Sequence, residues 1–246
     1  MRIIRSYRII QCFLLSGLLW NIGVVSHAQD STDATTELLK LQAVFQNISY
    51  TSFDVNYYYE EDDTSGVLRD TLTGVYKVDK DRFYYMLDSV IQVQNDLYHV
   101  TVDKDNKVVY VEKPYFSYTS VLQSNIMDSV FMENYVNQML VTDSSGYRKI
   151  TIQFKNEAPY QNYELLYSLN SFQPASIKFT LRKEALQEEG PQLYVRVKIV
   201  FSNYQTGAFN DSVFLTNWIF NRENGVFVLN SETFSTYELA NSYDEQ

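Results

Sequence analysis

Hydrophobic and polar residues alternate through much of this chain, and the alternation is clearest between Gly74 and Pro114. There Gly74-Val-Tyr-Lys-Val, Arg82-Phe-Tyr-Tyr-Met-Leu, Val90-Ile-Gln-Val-Gln, Leu97-Tyr-His-Val-Thr-Val and Lys107-Val-Val-Tyr-Val are separated by Asp, Asn, Ser and Lys clusters. Short β-branched and aromatic runs bounded by turn residues predict a meander of strands. The alternation predicts that Phe83, Tyr85, Leu87, Ile91 and Val93 share one face, with Arg82, Tyr84, Gln92 and Gln94 on the other.

The same rhythm recurs elsewhere. Phe53, Val55, Tyr57 and Tyr59 predict a strand ahead of the meander. Ile150 to Phe154, Tyr163 to Leu169, Ile177 to Leu181 and Leu193 to Phe201 predict an antiparallel sheet with one dry and one wet face. Val213–Phe220 and Val226–Leu229 add two strand candidates, and the polar tail from Ser235 is expected to fray. Two stretches switch to helical spacing. Leu38, Leu41, Phe45 and Ile48 predict an amphipathic helix, and Ser124–Leu140 predicts a second whose wide apolar arc includes Phe131, Tyr135 and Met139. Helix, meander, helix, meander, with roughly ten strands, is a mainly β (α+β) layout.

The first residues change the picture. Arg2, Arg5 and Arg8 precede an apolar stretch, Ile9–Val25, and Ser26-His27-Ala28 supplies small residues, so residues 1–28 are expected to be a cleaved signal peptide. Ser16, Gly17, Asn21 and Gly23 interrupt the stretch, which speaks against a membrane span. Cys12, the single cysteine, would leave with it, so residues 29–246 would fold as one exported domain without disulfides. The net charge of −10 becomes more acidic on losing three arginines and no acids, which argues against nucleic acid as a partner. No transmembrane segment is expected in the mature chain. His99 would be its only histidine, so a histidine zinc site is excluded and a structural or surface role is expected. Glu60-Glu-Asp-Asp63 lacks the spaced donors of a calcium loop and reads as a solvated turn.

This order resembles the periplasmic lipoprotein carrier family (LolA-like). The resemblance rests on the N-terminal helix ending near Asn47, the long strand Thr51–Tyr59, and Gly74-Val-Tyr-Lys-Val with Asp81-Arg-Phe-Tyr. It continues through Gln94-Asn-Asp-Leu-Tyr-His-Val and Pro174-Ala-Ser-Ile-Lys-Phe to Phe201-Ser-Asn-Tyr-Gln-Thr with Phe214. It implies a single strongly curved antiparallel sheet or incompletely closed β-barrel, with two or three helices on its concave side. It also implies a non-enzymatic protein that holds acyl chains, with no cofactor, in the periplasm or secreted. The family carrier holds its helical lid with an arginine in the sheet, and neither Arg69 nor Arg82 is assigned that role.

The candidate lining of an apolar groove is Phe53, Val55, Tyr57, Phe83, Tyr85, Ile91, Val93, Phe131, Tyr135, Val195, Val197 and Ile199. Lipid or lipoprotein acyl chains are the partners this suggests, with envelope protein partners also considered. Two readings stand side by side: an open groove, or a core that the aromatic rings fill themselves. The alternative function is an envelope interaction module for a protein or glycan. A carboxylate hydrolase is not expected, because most of the acids sit in turns.

Overall fold

The computed structural model describes residues 29–46, 49–61, 68–114, 129–182 and 194–243; the expected signal peptide and the acidic turn after Glu61 lie outside them. The described fold is mainly β. Helix α1 spans Gln29–Gln46. The strands of the first half are β1 (Thr51–Glu61), β2 (Leu68–Asp79), β3 (Arg82–Leu87), β4 (Val90–Gln94), β5 (His99–Asp103) and β6 (Val108–Glu112). Then come helix α2 (Ser129–Tyr135), β7 (Val136–Ser144), β8 (Tyr147–Phe154), β9 (Tyr160–Ser168), β10 (Pro174–Arg182) and β11 (Tyr194–Thr206). A 3-10 turn (Asp211–Phe214) leads to β12 (Phe220–Glu223), β13 (Val226–Leu229), helix α3 (Ser231–Phe234) and β14 (Glu238–Asn241).

Twelve strands form one sheet in the order β14-β6-β5-β4-β3-β2-β1-β11-β10-β9-β8-β7, which is not closed into a barrel; β12 and β13 form a separate pair. The sheet is mixed because β14 runs parallel to β6. The neighbours from β2 through β6 and from β7 through β11 pair antiparallel. The described residues form two compact units, one holding 29–46, 56–61, 68–71, 129–182 and 194–202, the other 49–55, 72–114 and 203–243.

Several expectations are corrected. The second helix ends at Tyr135: Val136–Leu140, assigned to it by spacing, begins β7 instead, and its expected start at Ser124 lies outside the described residues. Val136 and Val141 are β-branched, and pairing with Phe154 and Ile150 of β8 satisfies the backbone better than another helical turn would. Val213–Phe220 is not a strand; the 3-10 turn begins it, capped by Asn210, whose side chain accepts from the Ser212 N–H. The tail does not fray before Asn241, because Glu238–Asn241 adds β14 to the edge of β6.

In the unit holding the meander, register decides the faces. The turn at Asp88–Ser89 has only two residues, Asp88 at φ 50°, and sets Leu87 opposite Val90. Met86 then faces Ile91 and Tyr84 faces Val93, while Tyr85 and Phe83 lie opposite Gln92 and Gln94. Phe83 and Tyr85 therefore point away from Ile91 and Val93, which corrects the predicted shared face. Ile91 and Val93 join Val100, Val102, Val109 and Val111 under Ile219, Phe220, Phe227 and Phe234 from the C-terminal segment. The opposite face carries Phe53, Tyr76 and Tyr85, with Tyr76 stacked on both neighbours at 5.2 and 4.2 Å between ring centroids. Both faces of these strands thus carry apolar packing, with Tyr110 on the second face left exposed.

Gly74 lies on the second face, where a Cβ would stand 2.5 Å from the Met86 carbonyl oxygen, 3.0 Å from Leu87 Cδ1 and 3.2 Å from Val55 Cγ2. The backbone contact cannot relax by a rotamer change. Gly74→Ala is expected to lower stability by about 1–3 kcal/mol, as overpacking does. A fall in the urea midpoint at unchanged slope is the expected signature; an unchanged midpoint would contradict it.

Candidate functional site

The other unit presents the cleaner apolar surface. Across β8, β9, β10 and β11 the register aligns Ile152 with Tyr163, Tyr163 with Phe179 and Phe179 with Val197. A parallel row aligns Ile150, Leu165, Ile177 and Ile199. All of these side chains are buried. The reverse face carries Lys149, Gln153, Glu164, Lys178, Arg196 and Lys198, none of them buried. One dry and one wet face is the arrangement the period-two pattern predicted.

Two helices meet the dry face. On α1, Ala34, Leu38 and Leu41 are buried at i, i+4, i+7 spacing, the stripe that packs the helix down. Helix α2 contributes Phe131 and Tyr135, both half-buried, while Val130 beside them is 59% exposed. The Phe131 ring lies 4.9 Å from Tyr135, 5.9 Å from Phe154 and 6.3 Å from Tyr160, edge-on to the last two. Tyr160 in turn meets Phe179 at 6.0 Å, and Phe179 meets Tyr163 at 6.5 Å. Six rings therefore run from α2 into the middle of the dry face. The C-terminal carbonyls of α2, at Glu133 and Asn134, accept from the Lys155 ammonium at 3.2 and 2.9 Å, so a cation tethers that end.

The predicted lining residues fall into separate groups. Val195, Val197 and Ile199 lie on this dry face, in the unit that also holds Phe131 and Tyr135. Tyr57 belongs to the same unit, half-buried and stacked on Tyr59 at 6.4 Å. Phe53, Val55, Phe83 and Tyr85 are buried in the meander unit. Ile91 and Val93 occupy that unit's opposite face, under the C-terminal segment. Reading residue by residue missed Phe154, Tyr160, Tyr163 and Phe179, although the alternation that singled out Val195 and Val197 runs through Tyr163 and Phe179 as well.

It also missed the polar tie between α1 and the sheet. Glu37 sits within the apolar stripe, between Ala34 and Leu38, and is 5% exposed. Tyr167 donates its hydroxyl to Glu37 Oε2 at 2.8 Å, Arg148 Nη1 lies 2.8 Å from the same oxygen, and Lys40 Nζ donates to Oε1 at 2.5 Å. Burial pushes the Glu37 carboxyl upward, but these three donors outweigh it and bring its pKa down to about 2. Arg148 also grips Asp143 bidentately, Nε at 2.7 Å and Nη2 at 2.8 Å, and the two carboxylates keep the guanidinium firmly protonated. Arg82, one of the two arginines considered from sequence, instead binds Asp79 and, at 3.2 Å, Asp211. The side chain of Arg69 lies outside the described residues.

Beside this network opens a cleft of about 500 Å³ lined by Thr36, Glu37, Lys40, Val141, Asp143 and Arg148. Its charged walls do not suit an acyl chain. Among the described residues no group of His, Cys, Asp and Glu is arranged to hold a metal ion, and no helix is long and apolar enough to cross a membrane. His99 is buried, with Nδ1 3.3 Å from a Glu112 oxygen and its ring 5.9 Å from Phe83. That is a structural setting rather than a surface one.

No family model and no curated protein matches the chain. Among solved structures it is similar to a LolA superfamily protein from Nitrosomonas europaea, at 9% identity over 78% of this chain and 100% of that one, with a TM-score of 0.34. It is also similar to a putative outer membrane lipoprotein-sorting protein domain from Vibrio parahaemolyticus, at 10% identity over 76% and 98% of the two chains (TM-score 0.36). A third, an uncharacterized conserved protein from Thermus thermophilus, is 8% identical over 85% and 99% (TM-score 0.42).

The lowered Glu37 pKa has a signed consequence. A depressed carboxylate contributes stability above its unfolded value, near 4.5, and loses it as pH falls toward about 2. Unfolding midpoints measured across that window should drop for the parent and drop less for Glu37→Gln. Arg148→Met should cost about 3 kcal/mol at neutral pH, since it leaves a buried carboxylate short of a donor.

Proposed function

We propose that this is an exported, non-enzymatic envelope protein that binds a hydrophobic or lipid-bearing ligand on the dry face of β8–β11, beside α1 and α2. The observation that carries the proposal is the row of six aromatic rings reaching from the half-buried Phe131 and Tyr135 into that face. The basic and apolar opening of the chain supports export, and the periplasm is the compartment proposed.

Energetics favour a displaceable cover. The described part of helix α2, Ser129–Tyr135, is held in place by tertiary contacts. Its position depends on Phe131, Tyr135 and the Lys155 tether. Withdrawing the half-buried Phe131 costs less than deleting a fully buried phenylalanine, about 3–5 kcal/mol. Each ligand methylene taken from water returns about 0.8 kcal/mol, so roughly ten of them exceed that cost and leave a net affinity. The proposed contacts are Val195, Val197 and Ile199 in this unit, with Phe131 and Tyr135 as their displaceable cover and Tyr57 in the same unit. Phe53, Val55, Phe83 and Tyr85 form the corresponding apolar surface of the meander unit. Ile91 and Val93 are left out of the proposal because the C-terminal segment already packs on them.

Two measurements test this. Protein purified without detergent and extracted with solvent should release an amphiphile, and the emptied protein should bind a fluorescent fatty acid. Phe131→Ala, which removes the ring that competes for the face, should bind the probe more tightly. Ile199→Glu, which places a carboxylate on it, should bind at least an order of magnitude more weakly while keeping its β circular dichroism. An empty protein that ignores the probe would sink the proposal.

A further inference from the structure

The last strand of the sheet, β7, is a long edge, with helix α1 packed against it and a bulge at its start. It has β8 on one side and, among the described residues, no strand on the other. Natural sheets blunt such edges with short strands, proline or lysine. The opposite edge follows that rule, since β14 has only four residues. β7 has nine, reading Val-Asn-Gln-Met-Leu-Val-Thr-Asp-Ser, with no proline, lysine or arginine. Its irregularity is confined to the start, between Val136 and Gln138. Leu140 at its centre is 41% exposed.

We propose that β7 pairs with β7 of a second copy of this chain, antiparallel about a two-fold axis at Leu140. In that register Leu140 meets its own counterpart, Val141 meets Met139 of the partner subunit, Thr142 meets the partner's Gln138, and Asp143 meets the partner's Asn137. Apolar groups face apolar ones, and the only ionised side chain of the strand faces an amide. Moving the axis by one residue spoils the match in either direction. Centred on Met139, Leu140 faces Gln138 of the partner subunit; centred on Val141, the buried Met139 faces the partner's Asp143.

Charge permits the approach. The chain carries −10 overall, which opposes self-association. The cleft alongside β7 is balanced, with Lys40 and Arg148 against Glu37 and Asp143, and Asp143 is already held by Arg148. Two copies meeting here do not bring a field of one sign together. A single strand pair buries less than the ~1,600 Å² of a standard interface, so the association is expected in the micromolar range.

Sedimentation velocity on the full chain, followed from low to high micromolar concentration, should show a monomer–dimer equilibrium. Leu140→Lys, which sets two ammonium groups against each other, should weaken it at least tenfold. A cysteine pair reads the register in a way that does not depend on affinity. With Cys12 changed to serine, Leu140→Cys should oxidise to a covalent dimer, because directly opposite residues lie ~4.5–5.5 Å apart at Cα, within disulfide range. Gln138→Cys, exposed on the same strand, should not, since its counterpart lies several residues away. A wild-type monomer throughout, an unweakened Leu140→Lys dimer, or Gln138→Cys oxidising as fast as Leu140→Cys would each overturn the proposal, as would a different protein occupying the edge in place of the second copy.

Discussion

Strand register is the constraint on which everything else in this protein rests. A strand's side chains alternate, so sliding it by one residue exchanges its two faces. At β3–β4 the two-residue turn after Leu87 locks Met86 to Ile91 and Tyr84 to Val93. Because of that lock the valines of β5 and β6 are covered by the C-terminal aromatics, while Tyr85 stacks on Tyr76 on the other side. A slip would bring Gln94 toward Phe227 and leave a buried amide without its bond to the Asp81 carbonyl, now 2.9 Å long. With no disulfide among the described residues to correct an error, turn length and face chemistry must agree.

How much of this could be read in advance follows from the same rule. Every strand from β1 to β6 and from β8 to β11 was legible, because alternation is strong there and the turn residues are conventional. Faces were harder. Within one strand they follow from the pattern, as at Ile150, Ile152 and Phe154. Between strands they depend on turn length, and Asp88-Ser89 lacks the glycine that marks a two-residue hairpin, so Phe83 and Ile91 were wrongly joined. The second helix was overextended because Val136 and Met139 fit both periods, and only pairing with β8 decides between them. Glu37 was readable in principle: a glutamate at the position between Ala34 and Leu38 lies inside the apolar stripe and calls for donors. Its partners were not, since Arg148 and Tyr167 are brought to it by tertiary structure.

That carboxylate also says something about how α1 is held. An apolar stripe alone tolerates small slides of a helix along a sheet, because one leucine contact resembles the next. A buried anion does not, because away from Tyr167 and Arg148 it would be desolvated without compensation. Ionic groups of this kind add little net stability compared with apolar replacements of the same size. Their contribution here is to fix one helix position.

The parallel pairing of β14 with β6 has a consequence in time rather than space. Glu238 lies opposite Val108, so the strand that finishes this edge is separated from its neighbour by more than half the chain. The aromatics that cover Ile91 and Val93 also arrive late, from Phe220 onward. Until those last residues are available, the valine face of the meander stands open to water and to other chains. Loop closure over such a span is slow. A chain delivered through a membrane from its N-terminus would therefore spend its transit with that face uncovered, and its hazard of misassembly is set by how quickly its final few dozen residues follow the rest.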